Sequence, residues 1–162
     1  MKKILAIDPS GNFSEGKGTT GWALVTDTKT VITVGQVLAK NYSTKMEYWS
    51  ALMDLIKNLQ PDIVVIEDYL LYKDKAQSQI LSRLETARII GVLEYICAKR
   101  DIPYYFQRAV DVKRRWTDEI LVSKGYIQKQ GSRYYAGGVL ISDHIRDAIR
   151  HGIHFATYKL KE

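Results

Sequence analysis

The chain holds a single cysteine among 162 residues, so neither a disulfide framework nor a cysteine-built zinc cluster can be assembled from it. Cys97 lies in the helical stretch Leu93-Glu94-Tyr95-Ile96-Cys97-Ala98, and its expected state is a buried, reduced thiol. Long hydrophobic runs are also missing. The apolar stretch Ile4-Leu5-Ala6-Ile7, behind Lys2 and Lys3, stops at Asp8 and is too short for a signal peptide or a membrane span. These absences point to a reducing, cytoplasm-like compartment and no membrane partner. Internal repeats and low-complexity segments are lacking too, and the length predicts one domain over 1–162. What is plentiful is positive charge: 24 Lys and Arg against 18 Asp and Glu give a formal charge of +6, which favours association with polyanions.

Periodicity divides the chain into elements. Lys3 to Ile7, Gly21 to Thr26 and Thr30 to Leu38 read as strands, the latter two joined by the short Asp27-Thr28-Lys29 connection of an antiparallel hairpin. Thr44-Lys45-Met46-Glu47 has the form of a capping box. It opens a helix with Trp49, Leu52, Met53, Ile56 and Leu59 on one side, which Pro61 ends. Ile63 to Ile66 is a fourth strand. A long helix is predicted from about Lys75 to Arg100, with Ile80, Leu84, Ala87, Gly91, Tyr95 and Ala98 at helical spacing. Pro103 to Phe106 gives a fifth strand, Val110 to Val122 a helix, 123–138 a loop and Ile141 to about Tyr158 a last helix.

This order predicts an α/β, three-layer domain with a five-stranded mixed sheet flanked by helices. Its first and fourth strands lie side by side and parallel. Their C-terminal ends then bring Asp8 and Glu67 together, at the edge where sites on such sheets usually form. A carboxylate leaving a buried strand is costly unless something pairs with it. On the last helix Asp143, His144 and Asp147 crowd one side, while Ile141, Ile145, Ala148, Ile149, Gly152 and Ala156 gather on the other. Taken alone, Asp143, Asp147, Arg150, His151 and His154 read equally well as a solvated polar face. Taken with Asp8 and Glu67, the acidic residues form an oxygen ligand set from separate elements. Two Mg²⁺ ions about 4 Å apart need such a set, and can activate water and stabilise a leaving oxygen in phosphodiester hydrolysis.

The motifs occur in a telling order: Ile7-Asp8-Pro9-Ser10-Gly11, Thr20-Gly21-Trp22-Ala23, Val64-Val65-Ile66-Glu67, Glu85-Thr86-Ala87-Arg88-Ile89-Ile90-Gly91, and Asp143-His144-Ile145-Arg146-Asp147-Ala148. In this order the chain resembles, over nearly its whole length, the RuvC-like Holliday junction resolvases, and most of all their small bacteriophage-type members. The resemblance implies a ribonuclease H-like fold, a homodimer, and dependence on Mg²⁺ or, as a substitute, Mn²⁺. The activity it implies is paired, symmetric nicking of four-way DNA junctions. It places Asp8, Glu67 and Asp147 as metal ligands. Where relatives commonly have Asp-x-x-Asp, this chain has His144 three residues before Asp147, so the fourth group is either His144 or Asp143. Lys113 resembles a basic residue near the scissile phosphate. Tyr69 or Tyr72, following Glu67, matches an aromatic that enters the junction centre, or else packs under the next helix. Arg88 and Gly91 lie where family dimers meet, although a small residue such as Gly91 also allows close helix contact within a monomer.

Between 108 and 133 the cations Arg108, Lys113, Arg114, Arg115, Lys124, Lys129 and Arg133 outnumber the acids, with Trp116, Tyr126, Tyr134 and Tyr135 among them. Such a mixture contacts phosphates and stacks on unpaired bases. Its plainer alternative is core aromatics with solvated lysines. The segment 131–138 reads as a mobile DNA-contacting loop or a flexible connection. Two rival functions stand beside nicking. A ribonuclease H acting on RNA-DNA hybrids would draw its second acid from the first helix, where Glu47 sits. A non-cleaving branched-DNA-binding protein would lack a complete carboxylate set.

Overall fold

The computed structural model describes residues 1–70, 73–81 and 84–160. Its main sheet has five strands: β1 (Lys3–Asp8), β2 (Thr19–Thr26), β3 (Val31–Leu38), β4 (Ile63–Glu67) and β5 (Tyr104–Gln107), in the order β3-β2-β1-β4-β5. β2 pairs antiparallel with β1 and β3, whereas β1, β4 and β5 run parallel; the β2–β3 hairpin and the parallel β1–β4 pair are as expected. β1 and β4 are covered on both faces, which is why they read as unbroken apolar runs rather than alternating ones.

The pleat sends alternate residues into two cores. Leu5, Ile7, Leu24, Val64 and Ile66 pack against helices α1 (Lys45–Leu59) and α3 (Glu85–Lys99). On the other face Ile4, Ala6, Ala23, Val25, Ile63 and Val65 meet α6 (Asp143–Tyr158) through Ile145, Ala148, Ile149 and Ile153. The three-layer α/β reading therefore holds. Cys97 is buried on the inner face of α3, and burial pushes its thiol up to about 11, so it stays protonated at neutral pH. Among the described residues no helix is long and apolar enough to cross a membrane.

Several local expectations are corrected. The segment predicted as one helix from about 75 to 100 holds two, α2 (Ala76–Leu81) and α3, with Leu84 in the left-handed region at φ 51° just before Glu85. The buried face of α3 is Glu85, Ile89, Ile90, Leu93, Ile96 and Cys97, while Ala87, Gly91, Tyr95 and Ala98, the stripe picked out by helical spacing, face out. The two stripes lie side by side on the helix, and only contact with the sheet selects the more apolar one. On α1 the capping box forms as expected, but Tyr48 is fully buried and Met53 is exposed.

Val110 to Val122 likewise divides, into α4 (Ala109–Lys113) and α5 (Asp118–Ser123), because the Thr117 hydroxyl caps a new start by accepting from the Ile120 amide. The expected loop at 123–138 contains most of a second, three-stranded antiparallel sheet: β6 (Gln128–Gln130), β7 (Arg133–Ala136) and β8 (Val139–Ile141). Its strands are three or four residues long and separated by glycine turns, too short for an alternation to declare itself. Trp116 is buried in the α6 core, edge-on to Tyr126, so these two aromatics serve packing.

Candidate active site

β1 and β4 are in register from Ile4↔Ile63 to Ile7↔Ile66, so Asp8 and Glu67 leave the sheet side by side at its carboxyl edge. The third acid arrives on α6. That helix starts where the Ser142 hydroxyl accepts from the Ile145 amide, and it lies unusually close to the sheet. A Cβ at Gly21 would stand 2.4 Å from the His144 carbonyl, and one at Gly152 would stand 2.8 Å from Val25. This approach places one carboxylate oxygen each of Asp8, Glu67 and Asp147 within 4.8 Å of one another.

Each acid has its own partners. The His144 Nδ1 lies 3.1 Å from Asp8 Oδ2. The His151 imidazole bridges Glu67 Oε2 and the Gln107 side-chain oxygen, each at 2.9 Å. Asp147 accepts from Lys113 Nζ at 2.8 Å and from Arg150, which also reaches Asp118 and the Trp116 carbonyl. Behind the site, the Tyr48 hydroxyl donates to the Ser10 carbonyl at 2.6 Å and lies 2.7 Å from the Thr20 hydroxyl. Buried Glu85 accepts from the Ser14 amide and hydroxyl, and Gly11 sits so close to the Glu85 carbonyl that a Cβ would overlap it. The loop after Asp8 is thereby pinned.

The electrostatics are uneven. Burial, followed by repulsion from Glu67 and Asp147, raises the Asp8 carboxyl to about 6 against the pull of His144. For Glu67 burial is again the largest single influence, yet the His151 hydrogen bond and the His151, Lys113 and His144 charges outweigh it and hold the acid below its ordinary value. Lys113 is raised because its contacts with Asp147, Glu67 and Asp8 overcome its partial burial. His144 is raised chiefly by its hydrogen bond to Asp8. Lys113 and Arg150 thus serve Asp147, and His151 serves Glu67, while Asp8 gives up its proton only as pH rises through about 6. Three hard oxygen donors from separate elements, one of them short of compensating charge, fit a hard divalent cation.

Of the residues singled out from the sequence, Asp8, Glu67, Asp147, His144 and Lys113 come together. Asp143 stands outside the trio with its side chain 73% exposed and its Oδ1 3.9 Å from His144 Nε2. Glu47 is spent on the capping box, accepting from the Ser43 and Thr44 amides. Arg108 pairs with Asp111, and Arg114, Arg115, Lys124 and Arg133 are exposed. Tyr69 packs partly buried against the α1/α3 core, and Tyr72 lies outside the described residues.

The solvated-face reading of α6 fails for four of its five members: Asp147, Arg150, His151 and His154 are all at most 9% exposed. Arg150, His151, Gln107 and Asp118 were not singled out as site residues. The available signal was the spacing His144, Asp147, His151, which puts all three on one side of the helix.

No family model and no curated protein matches this chain. Solved structures do. T. thermophilus RuvC in complex with a Holliday junction substrate aligns with a TM-score of 0.72 over 99% of this chain and 96% of that one, at 14% identity. A second Thermus thermophilus RuvC structure aligns with a TM-score of 0.63 over 96% of this chain and 94% of that one, at 13% identity. The fold of this chain is RuvC-like, with the carboxylate cluster at the carboxyl edge of its sheet.

Proposed function

We propose that this protein is a metal-dependent endodeoxyribonuclease that nicks four-way and other branched DNA junctions, in recombination, repair or phage DNA processing. The observation that carries this reading is the meeting of Asp8, Glu67 and Asp147 within 4.8 Å on a RuvC-like fold. Branched DNA as substrate is supported by the likeness to a RuvC in complex with a Holliday junction and by the +6 charge. The capping role of Glu47 weighs against a ribonuclease H arrangement with an acid from the first helix.

In this proposal Asp8, Glu67 and Asp147 hold the divalent cations. When bound, these supply charge neutralisation at the phosphate and lower the pKa of an attacking water. The water oxygen bonds to phosphorus, the bond to the leaving sugar oxygen breaks, and that oxygen takes a proton from solvent. The water's own proton passes to the Asp8–His144 pair, whose two atoms lie 3.1 Å apart. Lys113, half exposed, swings from Asp147 to the phosphate oxygens. Asp143 orients His144 from the solvent side. Arg114, Arg115, Lys124 and Arg133 meet the DNA backbone, and two copies of the chain act on opposite strands.

A labelled four-way junction incubated with Mg²⁺ or with EDTA tests the reading. Symmetric nicks are expected only in Mg²⁺. Bound but uncut DNA in Mg²⁺ would overturn the hydrolytic assignment, and equal cutting of linear duplex would overturn the selectivity for junctions. Asp8→Asn is expected to bind junctions and leave them uncut; nicking by this variant would remove Asp8 from the site.

A further inference from the structure

Between α4 and the C-terminal half of α6 lies a cleft of about 690 Å³, lined by Asp111, Arg114, Arg115, His154, Tyr158 and Lys159. Its volume falls in the range of ordinary ligand pockets, about 300–1,000 Å³, yet its lining is cationic rather than apolar. The one acid on its wall, Asp111, is already matched by Arg108 through contacts of 2.8 and 3.2 Å. Tyr158 has its ring 4.9 Å from the Arg115 guanidinium and 5.0 Å from the His154 ring. Stacking holds the guanidinium by its face and leaves its N–H edges free to meet a planar or tetrahedral anion. His154 is 7% exposed, and its Nδ1 is buried without a hydrogen-bond partner. Burial, followed by the positive charges of Arg115, His151 and Lys159, holds this imidazole below its ordinary value.

The position of the cleft says what anion it meets. At 100° per residue Asp147, His151, His154 and Tyr158 share one side of α6. Asp147 holds the carboxylate centre, and His154, seven residues on, stands about 10 Å away at 1.5 Å per residue. The same division occurs on the facing element: Lys113 reaches Asp147, while Arg114 and Arg115, directly after it, line the cleft. The carboxylate centre and the cleft thus stand next to each other along α6, with Lys113 and Arg114 as their neighbours on the facing segment. At roughly 3.4 Å of rise per nucleotide, a separation of about 10 Å spans at most about three nucleotides of a strand.

We infer that the cleft between α4 and α6 is a second phosphate site, which takes a backbone phosphate one to three nucleotides from the one at the carboxylates. This rests on the proposed nuclease reading for the identity of the strand, but not for the affinity for phosphate. The cleft fixes the register of the strand, so that a phosphodiester held there presents a defined neighbour to Asp8, Glu67 and Asp147.

Two measurements separate this site from the nuclease reading. The first titrates inorganic pyrophosphate into metal-free protein and follows the His154 ring protons by NMR. Shifts are expected in the wild type and not in Arg114→Gln/Arg115→Gln, whose substitutions lie on exposed residues and leave the core untouched. Unmoved His154 signals in the wild type would overturn the cleft, whatever the protein does to DNA. The second measures junction affinity in EDTA. The double variant is expected to bind about ten-fold more weakly, with a salt slope reduced by about 1 to 2. A neutral methylphosphonate at one of the three flanking positions should weaken the wild type by a similar factor and the double variant no further. Equal loss in both proteins at all three positions would overturn the assignment. Wild-type protein that answers to pyrophosphate but ignores junctions would overturn the nuclease reading and leave the phosphate site standing.

Discussion

Asp8 is an acid whose carboxyl is raised from 3.8 to about 6 by burial and by two neighbouring carboxylates. Because the folded state holds this proton more tightly than the unfolded chain, its contribution to stability is fully present below about 4 and is lost as pH rises through 6. In EDTA, Asp8→Asn should therefore be more stable than wild type at pH 7.5, by on the order of 2 kcal/mol, with little difference at pH 3.5. Urea denaturation at the two pH values checks this. Mg²⁺ should raise the melting temperature of the wild type at pH 7.5 and leave that of the variant unchanged. His151 works one contact further out, through Glu67. His151→Ala should weaken Mg²⁺ binding by about 10- to 100-fold, read calorimetrically, because the carboxylate loses the group that orients it. Asp8 and Glu67 were legible in the sequence because an acid ending an apolar strand is conspicuous. His151 was not, because a histidine among polar neighbours on a helix looks solvated until the sheet edge is placed against it.

α6 carries Asp147, and its closeness to β2 decides where that acid stands. Gly21→Ala would put a methyl into the His144 backbone and force the helix start outward. The expected result is a loss of about 1 to 3 kcal/mol, with nicking falling further than junction binding; unchanged nicking would show that the site tolerates the shift. α1 makes a control far from the chemistry. Removing its capping hydroxyl with Thr44→Ala should lower stability by about 1 kcal/mol and leave nicking of folded protein intact, as thermal melts and a cleavage assay would show. Elements with a long period or a local cap, such as β1, β4, α1 and α6, could be read directly. The break at Leu84 and the sheet β6-β7-β8 could not, since a left-handed residue and three-residue strands are set by what they pack against.

The outward face of α3 bears on the assembly of the whole molecule. Ala87, Arg88, Gly91 and Tyr95 lie on it exposed, and a Cβ at Gly91 would meet nothing within 4 Å. A helix face with small residues beside a 66%-exposed tyrosine suits close contact with a second copy. Sedimentation should give twice the 18.6 kDa of one chain. Gly91→Arg should give a monomer whose nicks on the two strands are no longer paired; a wild-type monomer would overturn the dimer.

The sequence alone determined which strands are central, because only a strand covered on both faces reads as an unbroken apolar run. It also determined which acids leave those strands and that the charge suits a polyanion. Tertiary structure decided which side of each helix is inside, since neighbouring stripes on α1 and α3 are both partly apolar and contact with the sheet selects one. It decided, too, that the polar side of α6 turns inward, where Arg150 meets Asp147 and His151 joins Glu67 to Gln107. The two His151 pairings join residues 44 and 84 positions apart, a separation at which spacing along the chain carries no information about contact.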